Sequence, residues 1–222
     1  MLFMDKTFFC SWSGGKDSAL ALFKAIQADY EPKKLLNMLS EKGKKSRSHN
    51  LSLSVLEAQA EALNISLETR RASWDEYEET FIEALKDFNK EGIKTGVFGD
   101  IDLEGHREWE EKVCKKAGLE AFLPLWQKKR EDLLNEFIDV GFKTMIIVVN
   151  EEYLDKKYLG KIIDKDLIKE FNEIGIDPSG ENGEYHTVVL DGPLFNKKLE
   201  VNRLNQLYND GYWFQEFELI NF

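Results

Sequence analysis

The sequence has few cysteines and few prolines, and each of these scarcities excludes a class of protein. It holds 2 Cys and 4 Pro among 222 residues. Cys10 and Cys114 form no CxxC pair, so zinc ribbons and thioredoxin-type redox motifs lose their main support. Two isolated thiols suit a reducing compartment. The low proline content, with only 15 Gly, excludes collagen-like and linker-like chains.

Long apolar runs are also missing. No stretch approaches the roughly 18 apolar residues that a membrane-spanning helix needs. The first six residues, MLFMDK, show neither the basic region nor the apolar region of a signal peptide. The sequence therefore predicts a cytoplasmic protein with no membrane partner.

Positive charge is scarce relative to negative charge. The chain has 30 Lys and Arg against 41 Asp and Glu, which gives a net charge of −11. Its basic residues form only short runs, at 42–45 and 128–130. Because nucleic-acid binding along the phosphate backbone needs a local basic excess, we expect no nucleic-acid partner. A polyanionic ligand would need a small, dedicated site.

Apolar runs alternate with helical patterns along the first two thirds of the chain, which predicts an α/β fold with a doubly wound parallel sheet. The predicted strands cover residues 7–12, 35–39, 65–69, 95–99, 120–123 and 143–149. The predicted helices cover residues 18–28, 53–63, 74–90, 105–117 and 129–140. Residues 1–150 are therefore interpreted as the α/β core. Residues 151–222 are interpreted as a smaller α+β extension, with a helix at 154–174 followed by short antiparallel strands.

The strongest local motif is SGGKDS at residues 13–18, between the first predicted strand and the first predicted helix. Gly14 and Gly15 allow a sharp turn that brings backbone N–H groups close to a ligand. The start of the following helix favours an anion. Lys16 and the hydroxyls of Ser13 and Ser18 add charge-assisted hydrogen bonds, so the motif predicts a phosphate site. The alternative is a glycine-rich turn without a ligand.

Two carboxylates near this loop are candidate metal ligands. Asp17 would repel a phosphate unless Mg²⁺ lay between them. Asp100 follows the fourth predicted strand, at the sheet edge where ligands of parallel sheets bind. The alternatives are that Asp17 caps its helix and that the segment 99–102 provides the N-cap of the next helix. His106 and Arg107 follow on that helix's first turn.

A second polar segment lies at residues 179–187, SGENGEYHT, before an apolar strand. Glu181 and Glu184 are candidates for amine binding or general-base catalysis, and His186 for proton transfer. The alternative is a solvated turn. A further polar loop, SRSH at 46–49, follows the second strand and is either functional or merely a solvated basic loop.

The loop at 13–18 lacks the GxxxxGK[ST] and GxGxxG patterns. It resembles the SGGxDS PP-loop of the N-type ATP pyrophosphatases. Residues 1–195 more specifically resemble the diphthine–ammonia ligase family of that superfamily. The marks of this resemblance are SGGKDS, MLSE at 38–41 with His49, Gln59, Gly99, Glu108, EKVC at 111–114, PLW at 124–126, Leu159-Gly160, Ile163-Asp164 and GENGEYHT at 180–187.

The resemblance implies an adenine nucleotide α-hydrolase-like (HUP) fold, with an ATP-binding domain at 1–150 and an acceptor domain at 151–222. It also implies that ATP is cut to AMP and pyrophosphate, that a substrate carboxylate is adenylated, and that ammonia then forms an amide. The implied ATP-binding residues are Ser11, Ser13, Gly14, Gly15, Lys16, Asp17, Ser18, Met38, Leu39, His49, Gly99 and Asp100. The implied catalytic residues are Lys16, Asp17, Glu181, Glu184 and His186, and the implied Mg²⁺ ligands are Asp17 and Asp100.

The acceptor half departs from the family pattern. Gly105-His106 stands where a Tyr-Gln pair is usual, Trp109 replaces a basic residue, and His186 replaces a carboxylate. Asp100 and Asp102 replace small residues. The expected partners are ATP, a small-molecule or protein carboxylate acceptor and ammonia, which is free or delivered by a partner because no glutaminase domain is expected.

Three other interpretations stay open at this stage. The chain could be a family member with a non-diphthine acceptor, a non-catalytic ATP-sensing module, or a PP-loop enzyme that modifies tRNA. The missing CxxC and the acidic charge argue against the last of these. The aromatic tail, with Tyr208 and Trp213, either packs on a second copy in a homodimer or covers its own sheet.

Overall fold

The computed structural model describes residues 6–41, 43, 45–46 and 50–220. The chain divides into two compact units. The first unit consists of Met1–Ser13 and Asp17–Lys128, and the second of Gly14–Lys16 and Lys129–Phe222. Three residues of the glycine-rich loop therefore group with the C-terminal unit, although they are far from it in sequence.

The first unit is built on a five-stranded parallel sheet of order β3-β2-β1-β4-β5, which confirms the α/β prediction. Its strands are β1 (Thr7–Ser11), β2 (Glu31–Leu39), β3 (Ser66–Arg71), β4 (Thr95–Val97) and β5 (Glu120–Phe122). Its helices are α1 (Lys16–Gln27), α2 (Leu53–Leu63), α3 (Tyr77–Lys90) and α4 (Glu104–Ala117). The strand order reverses between β1 and β4, and such a switch point is where open parallel sheets bind ligands.

An aromatic cluster anchors β1 to α3 and to the segment after β4. The ring centroid of Phe9 lies 6.4 Å from that of Phe81, 5.3 Å from Phe88 and 5.9 Å from Phe98. Phe81 and Phe88 are seven residues apart, so they share one face of α3. All four rings are buried, and burying each one stabilises the fold by about 1.5–3 kcal/mol. This packing holds the carboxyl ends of β1 and β4 beside each other.

The second unit contains a four-stranded antiparallel sheet of order β7-β6-β9-β8. Its strands are β6 (Lys143–Asn150), β7 (Tyr185–Asp191), β8 (Val201–Asn209) and β9 (Tyr212–Leu219). Its helices are α5 (Arg130–Asp139), a 3₁₀ turn (Lys156–Tyr158) and α6 (Lys165–Ile174). Phe171 of α6 packs against Tyr158 and Tyr185, with ring centroids 5.2 and 5.7 Å away.

Strand β6 differs from the sequence interpretation, which made it the last strand of the parallel sheet. It pairs antiparallel with both β7 and β9, so it belongs to the sheet of the second unit. An apolar run such as KTMIIVV indicates a strand buried on both faces. It does not specify the partners or their direction.

The single helix predicted at 154–174 is also divided. The chain turns at Gly160, where φ is +77°. The Asp164 side chain then accepts the backbone N–H of Leu167 at 2.8 Å and starts α6 anew. Among the described residues, no helix is long and apolar enough to cross a membrane.

Candidate functional site

In the first unit, the glycine-rich loop meets the end of β4. The hydroxyls of Ser13 and Ser18 lie 3.1 Å apart across the loop. A Cβ atom on Gly99 would lie 2.9 Å from the backbone carbon of Asp17 and 2.9 Å from the nitrogen of Ser18. Only glycine fits there, because real Cβ atoms do not approach backbone so closely. Gly99, Ser13, Asp17 and Ser18 are thus brought together, and their role in nucleotide binding stays a prediction.

In the second unit, residues Gly14–Lys16 are fixed to strand β7. The backbone N–H of Val189 donates to the carbonyl of Gly14 at 2.9 Å. The backbone N–H of Lys16 donates to Oγ1 of Thr187 at 3.2 Å, and the Thr187 residue is buried. Gly14 has φ of +82°, the left-handed conformation that favours glycine. Sequence reasoning gave Thr187 no role. Its place two residues after the buried Tyr185 in an alternating strand is the signal that it faces the same way.

The Lys16 side chain forms an ion pair with the second polar segment. Its Nζ lies 2.9 Å from Oε1 of Glu181, and the two side chains are only 9% and 20% exposed. The same Nζ lies 6.0 Å from the ring centroid of Tyr185, within the range of a cation–π interaction. Two residues that the sequence placed in separate motifs therefore form one electrostatic unit.

The carboxylate of Glu184 organises the segment that carries Glu181. It is 2% exposed and accepts backbone N–H groups from Asp177 at 3.3 Å and from Asn182 at 2.9 Å. It also accepts the Asn182 side-chain amide at 3.1 Å. Arg130 donates to Asp177 at 2.7 Å. These bonds occupy Glu184 within its own loop, whereas the sequence proposed it as a base.

His186 lies on a different side of strand β7. Successive residues of a strand point to opposite faces, so His186 is on the other face from Tyr185 and Thr187. It is half-buried and is paired in register with Val148 of β6. The structure therefore does not place it beside Lys16, and its proton-transfer role stays a prediction.

The carboxyl ends of β1 and β2 contain the other predicted nucleotide residues, Ser11, Met38 and Leu39. Met38 and Leu39 are buried, at 6% and 1% exposure. Next to them, the indole N–H of Trp12 donates to Gln59 Oε1 at 2.9 Å, and the Asn37 side chain donates to the Trp12 carbonyl at 2.6 Å. This network fixes the end of β1, which borders the switch point, to the end of β2 and to α2. The Ser46 hydroxyl accepts the Leu51 N–H at 3.0 Å, and the predicted His49 lies outside the described residues.

A carboxyl pair that sequence reasoning missed follows β4. Asp100 Oδ1 lies 2.6 Å from Nδ1 of His106. Glu110 lies one helical turn after His106 on α4 and is 4% exposed. Burial is the main cause that raises the pKa of Glu110 to about 11, and the hydrogen bond with the Asp100 carboxyl is the second cause. No donor among the described residues reaches its Oε2 atom. Burial and the hydrogen bond with Asp100 therefore favour the neutral form of Glu110. His106, Glu110 and Cys114 follow one another at intervals of four residues. This spacing indicates that they share one face of α4.

The candidate metal ligands Asp17 and Asp100 both belong to the first unit. Within the described ranges, no group of three or more His, Cys, Asp or Glu residues could hold a metal ion. Mg²⁺, however, usually takes one or two carboxylates and completes its shell with substrate phosphates and water. A Mg²⁺ ion held mainly by nucleotide phosphates stays a prediction, with Asp17 and Asp100 as its candidate ligands.

Comparisons with known proteins cover both units. The diphthamide synthase N-terminal domain matches residues 6–121, and the diphthamide synthase C-terminal domain matches residues 129–220. The chain is 33% identical over 217 residues to diphthine–ammonia ligase of Homo sapiens, covering 86% of this chain and 80% of that protein. It is 31% identical over 217 residues to the Mus musculus protein of the same name, with the same coverage.

Two further similarities are weaker or cover a smaller share of the matched protein. A Schizosaccharomyces pombe diphthine–ammonia ligase is 31% identical over 211 residues, which cover 84% of this chain but 34% of that protein. Among solved structures, a predicted subunit of tRNA methyltransferase from Methanocaldococcus jannaschii matches 84% of this chain and 97% of its own, with a TM-score of 0.44 and 14% identity. Because both domain matches and the 33% identity extend over most of the chain, this protein belongs to the diphthamide synthase family.

Proposed function

We propose that the protein is an ATP-dependent amide ligase that forms AMP and pyrophosphate, activates an acceptor carboxylate and transfers it to ammonia. The observation that carries this proposal is the loop at 13–18. Its Lys16 backbone is held by Thr187, and its last residues begin helix α1. Relatives named diphthine–ammonia ligase over most of the chain support the reaction class.

The loop would bind the β- and γ-phosphates of ATP. The loop leads into the start of α1, where the helix dipole favours an anion. The Lys16 ammonium adds a positive charge in a largely buried position, where it is weakly screened. Fixing the leaving pyrophosphate in this way leaves the α-phosphorus open to attack, and positioning with electrostatic stabilisation supplies most of the rate in such transfers.

Two bonds between heavy atoms are made and two are broken in the proposed sequence. A carboxylate oxygen of the acceptor attacks the α-phosphorus, the bond to the bridging oxygen breaks, and pyrophosphate leaves. Ammonia then attacks the acyl carbon, the bond from that carbon to the oxygen of AMP breaks, AMP leaves, and the nitrogen gives one proton to solvent. Asp17 and Asp100 would hold Mg²⁺, which neutralises negative charge on the polyphosphate when it is bound.

The proposed acceptor is a carboxylate of the diphthine class, because that is the substrate in the names of the relatives. The acceptor-side residues differ from the family pattern at Trp109 and His186. In the structure, Trp109 donates its indole N–H to Glu78 at 3.0 Å and packs against Phe81, with ring centroids 5.1 Å apart. Its indole therefore supports the packing of α3 against α4. The selection of the acceptor carboxylate would then depend on residues other than Trp109.

The test is product analysis with ATP labelled at the α-phosphate, using ammonium and a protein acceptor that carries diphthine. We expect labelled AMP, unlabelled pyrophosphate and an amidated acceptor. Lys16→Ala should abolish the reaction, whereas Glu173→Gln, a change at an exposed site, should leave it intact. Labelled ADP would contradict the cleavage position. ATP binding with no turnover on any carboxylate would favour a nucleotide-sensing module instead.

A further inference from the structure

The ion pair between Lys16 and Glu181 occupies the position that the proposed function assigns to pyrophosphate. Lys16 Nζ and Glu181 Oε1 are 2.9 Å apart, with 9% and 20% of the side chains exposed. Most surface ion pairs contribute little, because solvent screens both charges. This pair is largely shielded from solvent, so its charges interact strongly and an unpaired Lys16 would be costly.

Glu181 is presented by a rigid loop. Gly180, just before it, has φ of +74°, and a Cβ atom there would lie 2.9 Å from the Tyr185 ring. The Tyr185 hydroxyl donates to the carbonyl of Pro178 at 2.6 Å, and Glu184 binds the backbone of Asp177 and Asn182. The backbone around Glu181 is therefore fixed before any ligand binds, and the carboxylate is held in reach of Lys16 at little entropic cost.

Lys16 is fixed to the same framework. Strand β7 follows directly from this loop, and its Thr187 and Val189 bind the backbone of Lys16 and Gly14. One continuous piece of chain thus holds the phosphate-loop lysine and provides a carboxylate for it. The pairing is specified by β7 and is not a chance contact of two long side chains.

We propose that Glu181 is a tethered anion that fills the pyrophosphate position of the loop between turnovers and is displaced when the nucleotide binds. This inference rests on the proposed function, because it takes the same loop to be the pyrophosphate site. A polyphosphate carries more negative charge than one carboxylate, so it displaces the Glu181 carboxylate from the buried ammonium of Lys16. As pyrophosphate leaves, Glu181 returns to Lys16, and its carboxylate then opposes rebinding. Glu181 therefore competes with pyrophosphate for Lys16 and does not itself bind pyrophosphate.

The experiment measures binding of inorganic pyrophosphate with Mg²⁺ by calorimetry to the full chain. Glu181→Gln removes the negative charge that competes with pyrophosphate beside Lys16. We expect it to bind pyrophosphate about tenfold more tightly than the unmodified protein. Glu173→Gln removes the same charge from an exposed site and should bind as the unmodified protein does. In turnover, Glu181→Gln should show stronger product inhibition by pyrophosphate.

The outcomes separate this inference from the proposed function. Equal or weaker pyrophosphate binding by Glu181→Gln, with binding still lost in Lys16→Ala, overturns the tethered anion and leaves the phosphate site standing. Absence of pyrophosphate and ATP binding in every protein overturns the proposed function itself. Should Glu181→Gln fold poorly, Glu181→Asp tests the same point, because its shorter side chain should weaken the pair and tighten pyrophosphate binding. Unchanged binding by a folded Glu181→Asp would then count against the inference.

Discussion

Thr187 accepts the backbone N–H of Lys16 at 3.2 Å across 171 positions of sequence. This bond links the phosphate loop to strand β7. The segment that contains Glu181 lies directly before that strand. Its hydroxyl is buried with the residue, so an apolar replacement of similar shape would leave the N–H of Lys16 without this acceptor. The contact makes the loop's geometry depend on a residue near the other end of the chain.

Replacing Thr187 should therefore impair nucleotide use. We expect Thr187→Val to lower kcat/KM for ATP by about tenfold, because a misplaced loop loses part of its phosphate binding. Thr187→Ser keeps the hydroxyl and should retain most of the activity. Initial rates of pyrophosphate release give the measurement. Equal rates for the valine and serine variants would show that the hydrogen bond does not position the loop.

Gly99 should tolerate no side chain. Gly99→Ala places a Cβ atom 2.9 Å from the backbone of Asp17 and Ser18, and backbone cannot move aside cheaply. We expect the free energy of unfolding to fall by about 1–3 kcal/mol, measured by urea denaturation. Gly105→Ala is the matched control on α4, since its Cβ would meet nothing within 4 Å. Alanine there should be neutral or slightly stabilising. Similar stability of both variants would contradict the close approach of β4 to α1.

Glu184 allows a direct choice between a catalytic and a structural role. Its two oxygens accept three hydrogen bonds, so the amide of Glu184→Gln would face at least one donor. We expect this variant to lower the free energy of unfolding by about 1–3 kcal/mol. Glu173→Gln, at an exposed carboxylate of the same unit, should change it little. A normal stability with strongly reduced kcat would instead support Glu184 as a base.

The local features of this fold were more predictable from the sequence than its long-range contacts. The strand–loop–helix at 7–27 is predictable because β1, Gly14 and the start of α1 are adjacent and each has a strong local preference. The family resemblance was confirmed over both domains. The sheet that contains β6 was not predictable, since an apolar strand does not specify its partners.

Long-range contacts explain the remaining gaps in the candidate site. Lys16 and Glu181 were both candidates, but their pairing spans 165 positions and follows from how β7 packs, which no local pattern encodes. Glu110 was not predicted from the sequence for a related reason. A glutamate in a charged helix is expected on the surface, and only tertiary packing buries it.

Burial of Glu110 predicts a specific dependence of stability on pH. Burial, reinforced by the Asp100 carboxyl, raises the pKa of Glu110 from 4.5 to about 11. The folded protein therefore keeps a proton that the unfolded chain releases above about pH 4.5. Stability from this group is fully present below that pH and declines as pH rises toward about 11, by up to about 1.4 kcal/mol per pH unit.

Glu110→Gln removes this titration while keeping a neutral side chain that can donate to Asp100. The free energy of unfolding of this variant, relative to the unmodified protein, should increase steadily from about pH 5 to about pH 9. Urea denaturation at several pH values measures the difference. Glu173→Gln, which removes an exposed carboxylate away from α4, is the matched control and should not reproduce this increase. Parallel pH curves for Glu110→Gln and the unmodified protein would mean that Glu110 is ionised in the fold, and that another donor satisfies its buried oxygen.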